Sequence, residues 1–305
     1  MNHQPYPDHL FHPETRHQFV FAHQDDEIQY GGLIQRLGPD TRFLWVTNGD
    51  GLAPMENADP PTYAAMRMAE TDEVLKTLGR PLSHRRCLAV SEIEIYDHFV
   101  ELTLNPSRRD EVMDYFHRIG CAVYAELRER RPRVVWVCQY QQGQPEHDLA
   151  HLLAACALRQ LRREEGLEAE LYQLPEYEYT ILIPLRFHPW YPGVVHHIDL
   201  TDEELERKRK AFLCYPSQVK LFGKFERVIG RIGKVAGLFG KGFTLETFLR
   251  REQFGPVPPD FDYTKSFHRF EWANYMFDKH KDVKVRFDRH LSVIARELKD
   301  RPFTV

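Results

Sequence analysis

Short runs of apolar residues alternate with longer amphipathic stretches along the first half of the chain. The apolar runs, at residues 18–22, 42–47 and 134–138, have the length of buried strands. Helical spacing of apolar residues follows them, at 28–37, at 62–78 and from about residue 146. Strands that alternate with helices predict parallel βαβ units, so we expect an α/β fold with a Rossmann-like open, mostly parallel sheet and flanking helices.

The second half is less regular. Residues 171–183 and 194–200 are candidate strands, and capping-box patterns at 107–110 and 201–204 predict two helix starts. Residues 255–259 (GPVPP) suggest a linker or sharp bend. We therefore predict a main domain over residues 1–250 and a C-terminal extension over 251–305 that packs on it. Aromatic residues mark this extension: Phe261, Tyr263, Phe267, Phe270, Trp272, Tyr275 and Phe277.

Composition narrows the class of protein. The formal net charge of the 305 residues is −4, so nothing in the overall charge indicates a nucleic-acid partner. The N-terminus lacks a basic start and an apolar core, and no apolar run approaches the roughly 20 residues of a membrane-spanning helix. The five cysteines are scattered without a CxxC pair, as expected of reduced thiols. We expect a cytoplasmic protein with no integral membrane segment. Whether it forms a homo-oligomer stays open.

Polar side chains cluster directly after the first predicted strand. His23, Asp25, Asp26 and Glu27 lie within five positions. Burying so much negative charge without a counter-ion is very costly, and a divalent cation is the simplest counter-ion. The alternative is a polar turn that caps the next helix, because acidic residues suit a helix N-terminus.

A second cluster follows the strand at 134–138. His147 and His151 are four residues apart and would share one face of a helix. Alone, they resemble ordinary helix histidines or, with Asp148, a zincin-like motif. A zincin would leave His23 and Asp26 unexplained, however. Together, the two clusters provide two histidines and one carboxylate, a set that suits zinc and leaves a position for water. Iron(II) and other first-row ions would fit the same set.

The sequence resembles the PIG-L/LmbE family of zinc-dependent N-deacetylases. Residues 22–27 match the family motif A-H-P-D-D-E except at Gln24, and residues 144–147 match H-P-D-H loosely. Supporting matches are residues 46–51 (VTNGDG), Arg67 to Glu70 before Gly79, and Lys208, Ala211 and residues 216–218 (PSQ). The resemblance covers roughly residues 15–250.

This resemblance implies roles for single residues. His23, Asp26 and His147 would bind Zn²⁺, and Asp25 would be the general base. Gln144 stands where the family has a catalytic histidine; its amide can donate a hydrogen bond to an oxyanion but cannot release a proton. Glu146 replaces the usual aspartate.

The resemblance also implies a substrate. Arg67 and Asp97 are candidate substrate-binding residues. The alternative for Arg67 is an ordinary solvated arginine on a helix. The expected reaction is hydrolysis of the N-acetyl group of an N-acetylglucosamine-type conjugate, a small-molecule partner. Two alternatives stay open: an amidase for a non-sugar amide, and a non-catalytic sugar-binding relative. The basic stretch at 220–251 either attracts a phosphorylated sugar or is a solvated surface.

Overall fold

The main feature of the fold is a mixed sheet. The computed structural model describes residues 2–3, 5–178, 184–238, 242–266, 275 and 279–304. Within them, eight strands form the main sheet: β1 (Asn2–His3), β2 (His17–Phe21), β3 (Thr41–Thr47), β4 (Arg85–Val90), β5 (Val134–Cys138), β6 (Glu170–Leu174), β7 (Val194–Asp199) and β8 (Arg251–Pro256). A separate antiparallel hairpin contains β9 (Lys279–His280) and β10 (Val283–Lys284).

The strand order confirms the predicted Rossmann-like sheet. The order is β1-β7-β8-β6-β5-β2-β3-β4. Strands β6, β5, β2, β3 and β4 are mutually parallel, whereas β8 runs antiparallel to both β6 and β7. Ligands of such sheets bind beyond the carboxyl ends of the parallel strands. This edge is where β2, β3 and β5 end in the polar clusters identified in the sequence.

Helices cover both faces of the sheet. In chain order they are α1 (Asp26–Gln29), α2 (Gly31–Arg36), α3 (Pro60–Thr77), α4 (Glu92–Leu104), α5 (Arg109–Arg130), α6 (Pro145–Glu165), α7 (Asp202–Leu213), α8 (Val219–Gly237), α9 (Leu245–Leu249) and α10 (Ser292–Leu298). None of these described helices combines the length and the hydrophobicity that crossing a bilayer requires.

Alternation along the strands divides the core between the two faces. In β2, Phe19 and Phe21 point to one face, where Phe19 stacks on Phe43 and Trp136. Val20 belongs to the cluster on the opposite face, with residues of α4, α5 and α6. Period-two alternation places successive side chains on opposite faces, and both faces here are apolar because helices cover both.

Local predictions had mixed outcomes. Strands β2, β3 and β5 are confirmed, and so is the capping box at 201–204, where Thr201 and Glu204 exchange side-chain and backbone hydrogen bonds. The capping box at 107–110 is wrong, because a 3-10 turn at Pro106–Arg108 delays α5 until Arg109. Strand β4 was missed, since this half-buried strand begins with two arginines and presents no apolar run.

The linker predicted at 255–259 is wrong at its start, because Gly255 and Pro256 belong to β8 inside the main sheet. Pro256 is the last residue of this strand and lies opposite Tyr172 of β6. The predicted extension thus begins with a sheet strand. Glu252 of β8 accepts hydrogen bonds from the backbone of Gly32 and Leu33, and ties the strand to α2.

The described part of the tail packs against the main core. Leu291, Ile294 and Leu298 are buried with α4 and α5, and the ring of Phe303 occupies the space beside Gly120. Tyr263 packs edge-on against Tyr140. Four of the predicted aromatic residues lie outside the described residues, as does part of the strand candidate at 171–183: Phe267, Phe270, Trp272, Phe277 and residues 179–183.

Candidate metal centre

The turn after β2 is held by the side chain of Asp26. Its Oδ2 accepts hydrogen bonds from the backbone N–H groups of Ala22 (3.0 Å) and His23 (2.9 Å). Asp25 adopts a left-handed conformation with φ of 105° and precedes α1. This conformation separates the two adjacent aspartates, so that Asp26 faces inward while the side chain of Asp25 keeps some exposure.

Three predicted ligands meet at this turn. His23 Nδ1 lies 3.0 Å from His147 Nε2 and 3.8 Å from Asp26 Oδ1, and His147 Nε2 lies 3.1 Å from Asp26 Oδ1. All three side chains are buried. Ligand atoms in a tetrahedral zinc site with bonds of about 2.1 Å are about 3.4 Å apart, so the spacing and the chemistry of this set fit one such ion.

The other ring nitrogen of His23 faces two buried carboxylates. Its Nε2 lies 3.7 Å from Glu146 Oε1 and 4.0 Å from Glu92 Oε1. Tyr96 donates to Glu146, and Thr47 donates to Glu92. Burial by itself would lower the pKa of His23, but Glu92, Asp26 and Glu146 raise it well above its usual value. A carboxylate behind a ligating histidine orients the ring and strengthens the ligand, and Glu146 and Glu92 both face His23 in this way.

Two further groups, Cys138 and Glu176, lie beside Asp26. Cys138 Sγ is 3.7 Å from Asp26 Oδ2 and 3.4 Å from Glu176 Oε1. With His147 they form a compact set of potential metal ligands. Burial and the charge of Asp26 raise the pKa of Glu176 well above its usual value.

Three further residues of the candidate site were not predicted from the sequence: Glu92, Cys138 and Glu176. The strand-end rule pointed toward Cys138 and Glu176, because they end or follow β5 and β6. Glu92 begins α4 after the unpredicted strand β4, so no recognised element drew attention to it.

The candidate base Asp25 is paired with Arg67. Their closest atoms are 3.2 Å apart, and Arg67 also donates to the Gln24 carbonyl and to Ser217 Oγ. Burial raises the pKa of the Asp25 carboxyl, while Arg67 opposes this shift. Glu27, the third acid of the motif, instead accepts a hydrogen bond from Tyr215 and from the Asp25 backbone. The structure therefore brings Arg67 to the candidate base Asp25; contact between Arg67 and a substrate stays a prediction.

Gln144 and Asp97, the two remaining candidate site residues, have different surroundings. Gln144 is the residue before α6, three positions from His147, and its side chain is partly exposed. The Asp97 carboxylate instead accepts hydrogen bonds from His280 (2.5 Å) and Lys281 (2.7 Å), which keep its pKa below the usual value against the effect of burial. A role of Asp97 in substrate binding stays a prediction.

The zincin-like alternative finds no support in the position of His151. Its Nδ1 is 2.7 Å from the Cys138 carbonyl oxygen and its Nε2 is 3.2 Å from the Tyr263 hydroxyl. His147 and His151 therefore face different partners, and His151 helps to join α6 to the C-terminal segment.

An apolar cavity of about 480 Å³ adjoins the cluster. Tyr177 forms part of its wall and stacks on His147, with ring centroids 5.4 Å apart. Gln29, another wall residue, donates to Glu176 (2.6 Å). Residues of α7, α8 and α9 supply most of the apolar lining: Phe212, Leu213, Val219, Phe222, Ile229, Leu245 and Leu249.

Comparison with known structures agrees with the fold. The chain is similar to the A40926 pseudoaglycone deacetylase Dbv21, with 15% identity, a TM-score of 0.52, and 80% of this chain and 97% of that chain covered. It is also similar to a teicoplanin deacetylase complexed with teicoplanin, with 14% identity and a TM-score of 0.52. That match covers 81% of this chain and 100% of the deacetylase. A third similar structure is the 4-carboxy-2-hydroxymuconate hydratase GalB of Pseudomonas putida KT2440, with 17% identity and a TM-score of 0.51. That match covers 81% of this chain and 98% of the hydratase. Different chemistries thus share this fold. No curated protein matches the sequence.

A His-Asp-His cluster beyond the ends of parallel strands is the arrangement expected of a hydrolytic N-deacetylase, and the family comparison confirms this class. Residues 18–158 match the model of the PIG-L family, described as GlcNAc-PI de-N-acetylase. The matched residues contain both motifs that carried the resemblance in the sequence.

Proposed function

We propose that the protein removes an N-acetyl group from an amino-sugar conjugate by zinc-dependent hydrolysis. The observation that carries this proposal is the meeting of His23 Nδ1, Asp26 Oδ1 and His147 Nε2 within 3.8 Å, next to the Asp25–Arg67 pair, in a PIG-L domain. Two proteins of similar fold are, by their names, a deacetylase of A40926 pseudoaglycone and a deacetylase of the teicoplanin pathway, which supports deacetylation.

The residues divide the chemistry between them. His23, Asp26 and His147 would hold the ion, which supplies a polarised water and positive charge opposite the developing oxyanion. Asp25 would take a proton from the attacking water at its carboxylate and return it to the departing amine, since it is the partly accessible carboxylate beside the ligands. Gln144 can donate its amide N–H to the oxyanion. Arg67 holds the Asp25 carboxylate in place from its buried position.

The apolar cavity supports a substrate with an apolar part outside the sugar. It shares Tyr177 with the wall of the candidate centre, so a sugar placed at His147 could extend its other end into the cavity. A cavity of this volume is within the range of small-molecule sites. A free monosaccharide would leave it unfilled.

Acetate release from N-acetylglucosamine conjugates by purified, metal-analysed protein tests the proposal. We expect turnover with about one zinc per chain, and Asp25→Asn should keep the zinc and lose nearly all activity. Asp110→Asn, an exposed substitution on α5, serves as the control and should behave as wild type. Turnover of non-sugar amides alone would favour the amidase alternative. Sugar binding without any turnover would favour the non-catalytic relative.

A further inference from the structure

Helix α8 carries a row of basic side chains on one face. The row consists of Lys220, Lys224, Arg227, Arg231 and Lys234, which follow one another at intervals of four and three residues. Such intervals place side chains on one face of a helix. All five residues are exposed to solvent. The row therefore forms a positively charged strip along nearly the whole length of α8.

These charges are largely unmatched within the described part of the chain. Only Lys220 has a carboxylate within ion-pair distance there, that of Glu56. The neighbouring helix α7 contrasts with this, because each of its four basic side chains has an acidic partner: Arg207 with Glu203, Lys208 with Glu252, Arg209 with Glu246 and Lys210 with Glu206. The chain as a whole has a net charge of −4, so the basic row is a local feature rather than a general excess.

Exposed apolar side chains flank the basic row. Val228 and Val235 are seven residues apart, which puts them on one side of the row, and they are 45% and 57% exposed. Leu238, directly after the helix, is 82% exposed. Basic side chains beside exposed apolar ones suit the boundary between lipid headgroups and acyl chains. The phosphate backbone of a nucleic acid would contact the basic residues and leave these apolar side chains in water.

The opposite side of α8 explains why the row faces outward. Phe222 and Ile229 line the apolar cavity, and Gly233 lies against the backbone of Phe243. These contacts hold α8 on the protein. The basic row could therefore meet a flat charged surface without any rearrangement of the fold, and the cavity would lie just behind the meeting point.

We propose that α8 docks the protein on the surface of an anionic lipid bilayer. The basic row would meet the anionic headgroups while Val228, Val235 and Leu238 enter the outer part of the acyl region. Each basic residue held near an anionic leaflet strengthens binding by about fivefold, so the row would give measurable binding that weakens with salt. Docking goes beyond the proposed hydrolysis and does not depend on it.

Co-sedimentation of the full chain with lipid vesicles tests this proposal. We expect binding to vesicles of phosphatidylcholine with phosphatidylserine, little binding to phosphatidylcholine alone, and weakening above about 0.1 M salt. The combined Lys224→Glu, Arg231→Glu and Lys234→Glu variant should bind at least about 100-fold more weakly. The matched control reverses three exposed charges elsewhere, Arg159→Glu, Lys284→Glu and Lys299→Glu, and should bind like wild type.

Two further variants complete the design. If the glutamate variant does not fold, the same three residues of α8 can be replaced by glutamine. This variant should bind anionic vesicles about 100-fold more weakly than wild type. Replacing Val228 and Val235 by serine should weaken vesicle binding while leaving its salt dependence intact.

Clear results would overturn the proposal. One such result is that the wild-type protein does not bind anionic vesicles at low salt. Another is that it binds neutral and anionic vesicles equally well. A third is that the α8 variant and the control lose the same amount of vesicle binding. Binding to duplex DNA or RNA without vesicle binding would make the row a nucleic-acid surface instead. Because no turnover is measured, failure here is distinguishable from failure of the deacetylase proposal.

Discussion

The guanidinium of Arg67 lies 3.2 Å from the carboxylate of Asp25, although the two residues come from different elements. Arg67 lies on α3, is almost fully buried, and also packs over the ring of Tyr215. A buried arginine keeps its charge at any ordinary pH, so it gives Asp25 a permanent positive neighbour. Through this ion pair, helix α3 contacts the turn after β2 that carries the candidate base.

Replacing Arg67 should change how activity depends on pH. Asp25 must be ionised to accept a proton; burial raises its pKa, and Arg67 opposes that effect. Arg67→Ala should therefore move the acidic limb of the rate profile to higher pH and lower kcat by about 100-fold. Arg67→Lys keeps the charge and should move the limb less. An acidic limb that stays in place in both variants would show that Arg67 does not act through Asp25.

Glu92 should strengthen metal binding through His23. Its carboxylate faces His23 Nε2, on the side of the ring opposite the candidate ligand atom. Glu92→Gln should lower zinc affinity by about 10- to 100-fold, as measured by competition with a chelator. Glu94→Gln, an exposed change on the same helix, is the control. Equal zinc affinity in the two variants would remove Glu92 from the site.

The cavity next to Tyr177 should make catalysis sensitive to the non-sugar part of the substrate. For alkyl N-acetylglucosaminides, we expect KM to fall by up to about fourfold for each methylene that becomes buried. Phe222→Ser, in the cavity wall, should remove most of this gain, whereas Leu104→Ser, on an exposed part of α4, should not. A KM independent of chain length in an active enzyme would leave the cavity without a role in substrate binding.

The buried histidine His151 should make the protein less stable in acid. Burial lowers its pKa to about 4, whereas an unfolded chain protonates histidine near its ordinary value of 6.5. Between these values only the unfolded state takes up the proton, so the free energy of unfolding falls as the pH falls from about 6.5 to 4, by up to about 3 kcal/mol. Denaturant unfolding of His151→Gln should show a flatter dependence in this range. The exposed change His12→Gln should keep the wild-type slope; equal slopes in both variants would contradict the assignment.

The ion pair between Lys208 and Glu252 is buried and should be costly to break. Its closest atoms are 2.7 Å apart, and both side chains are almost fully excluded from solvent. Lys208→Met leaves a buried carboxylate without its cation and should lower the free energy of unfolding by about 3–5 kcal/mol. Arg207→Met, which breaks the exposed pair with Glu203, should cost less than about 1 kcal/mol. Similar losses in urea unfolding for both variants would show that burial of the pair does not matter.

Contiguous segments of the chain determined much of what could be predicted. The apolar runs that became β2, β3 and β5 needed no partner to be recognised, because a strand covered on both faces is apolar along most of its length. His23, Asp25 and Asp26 stand together for a local reason as well, since one tight turn after a strand presents all three. Their resemblance to the PIG-L family was likewise contained in a few neighbouring residues.

Only the tertiary structure decided which distant side chains join that turn. Glu92 and Glu176 reach the cluster because their chain segments follow strands on either side of β2, and strand order is a long-range property. Pairing with β6 drew Gly255 and Pro256 into the sheet, although their composition indicated a linker. Asp97 met His280 and Lys281 from a segment more than 180 residues away. A sequence specifies such meetings only through the free energy of the whole packed chain, which no local pattern contains.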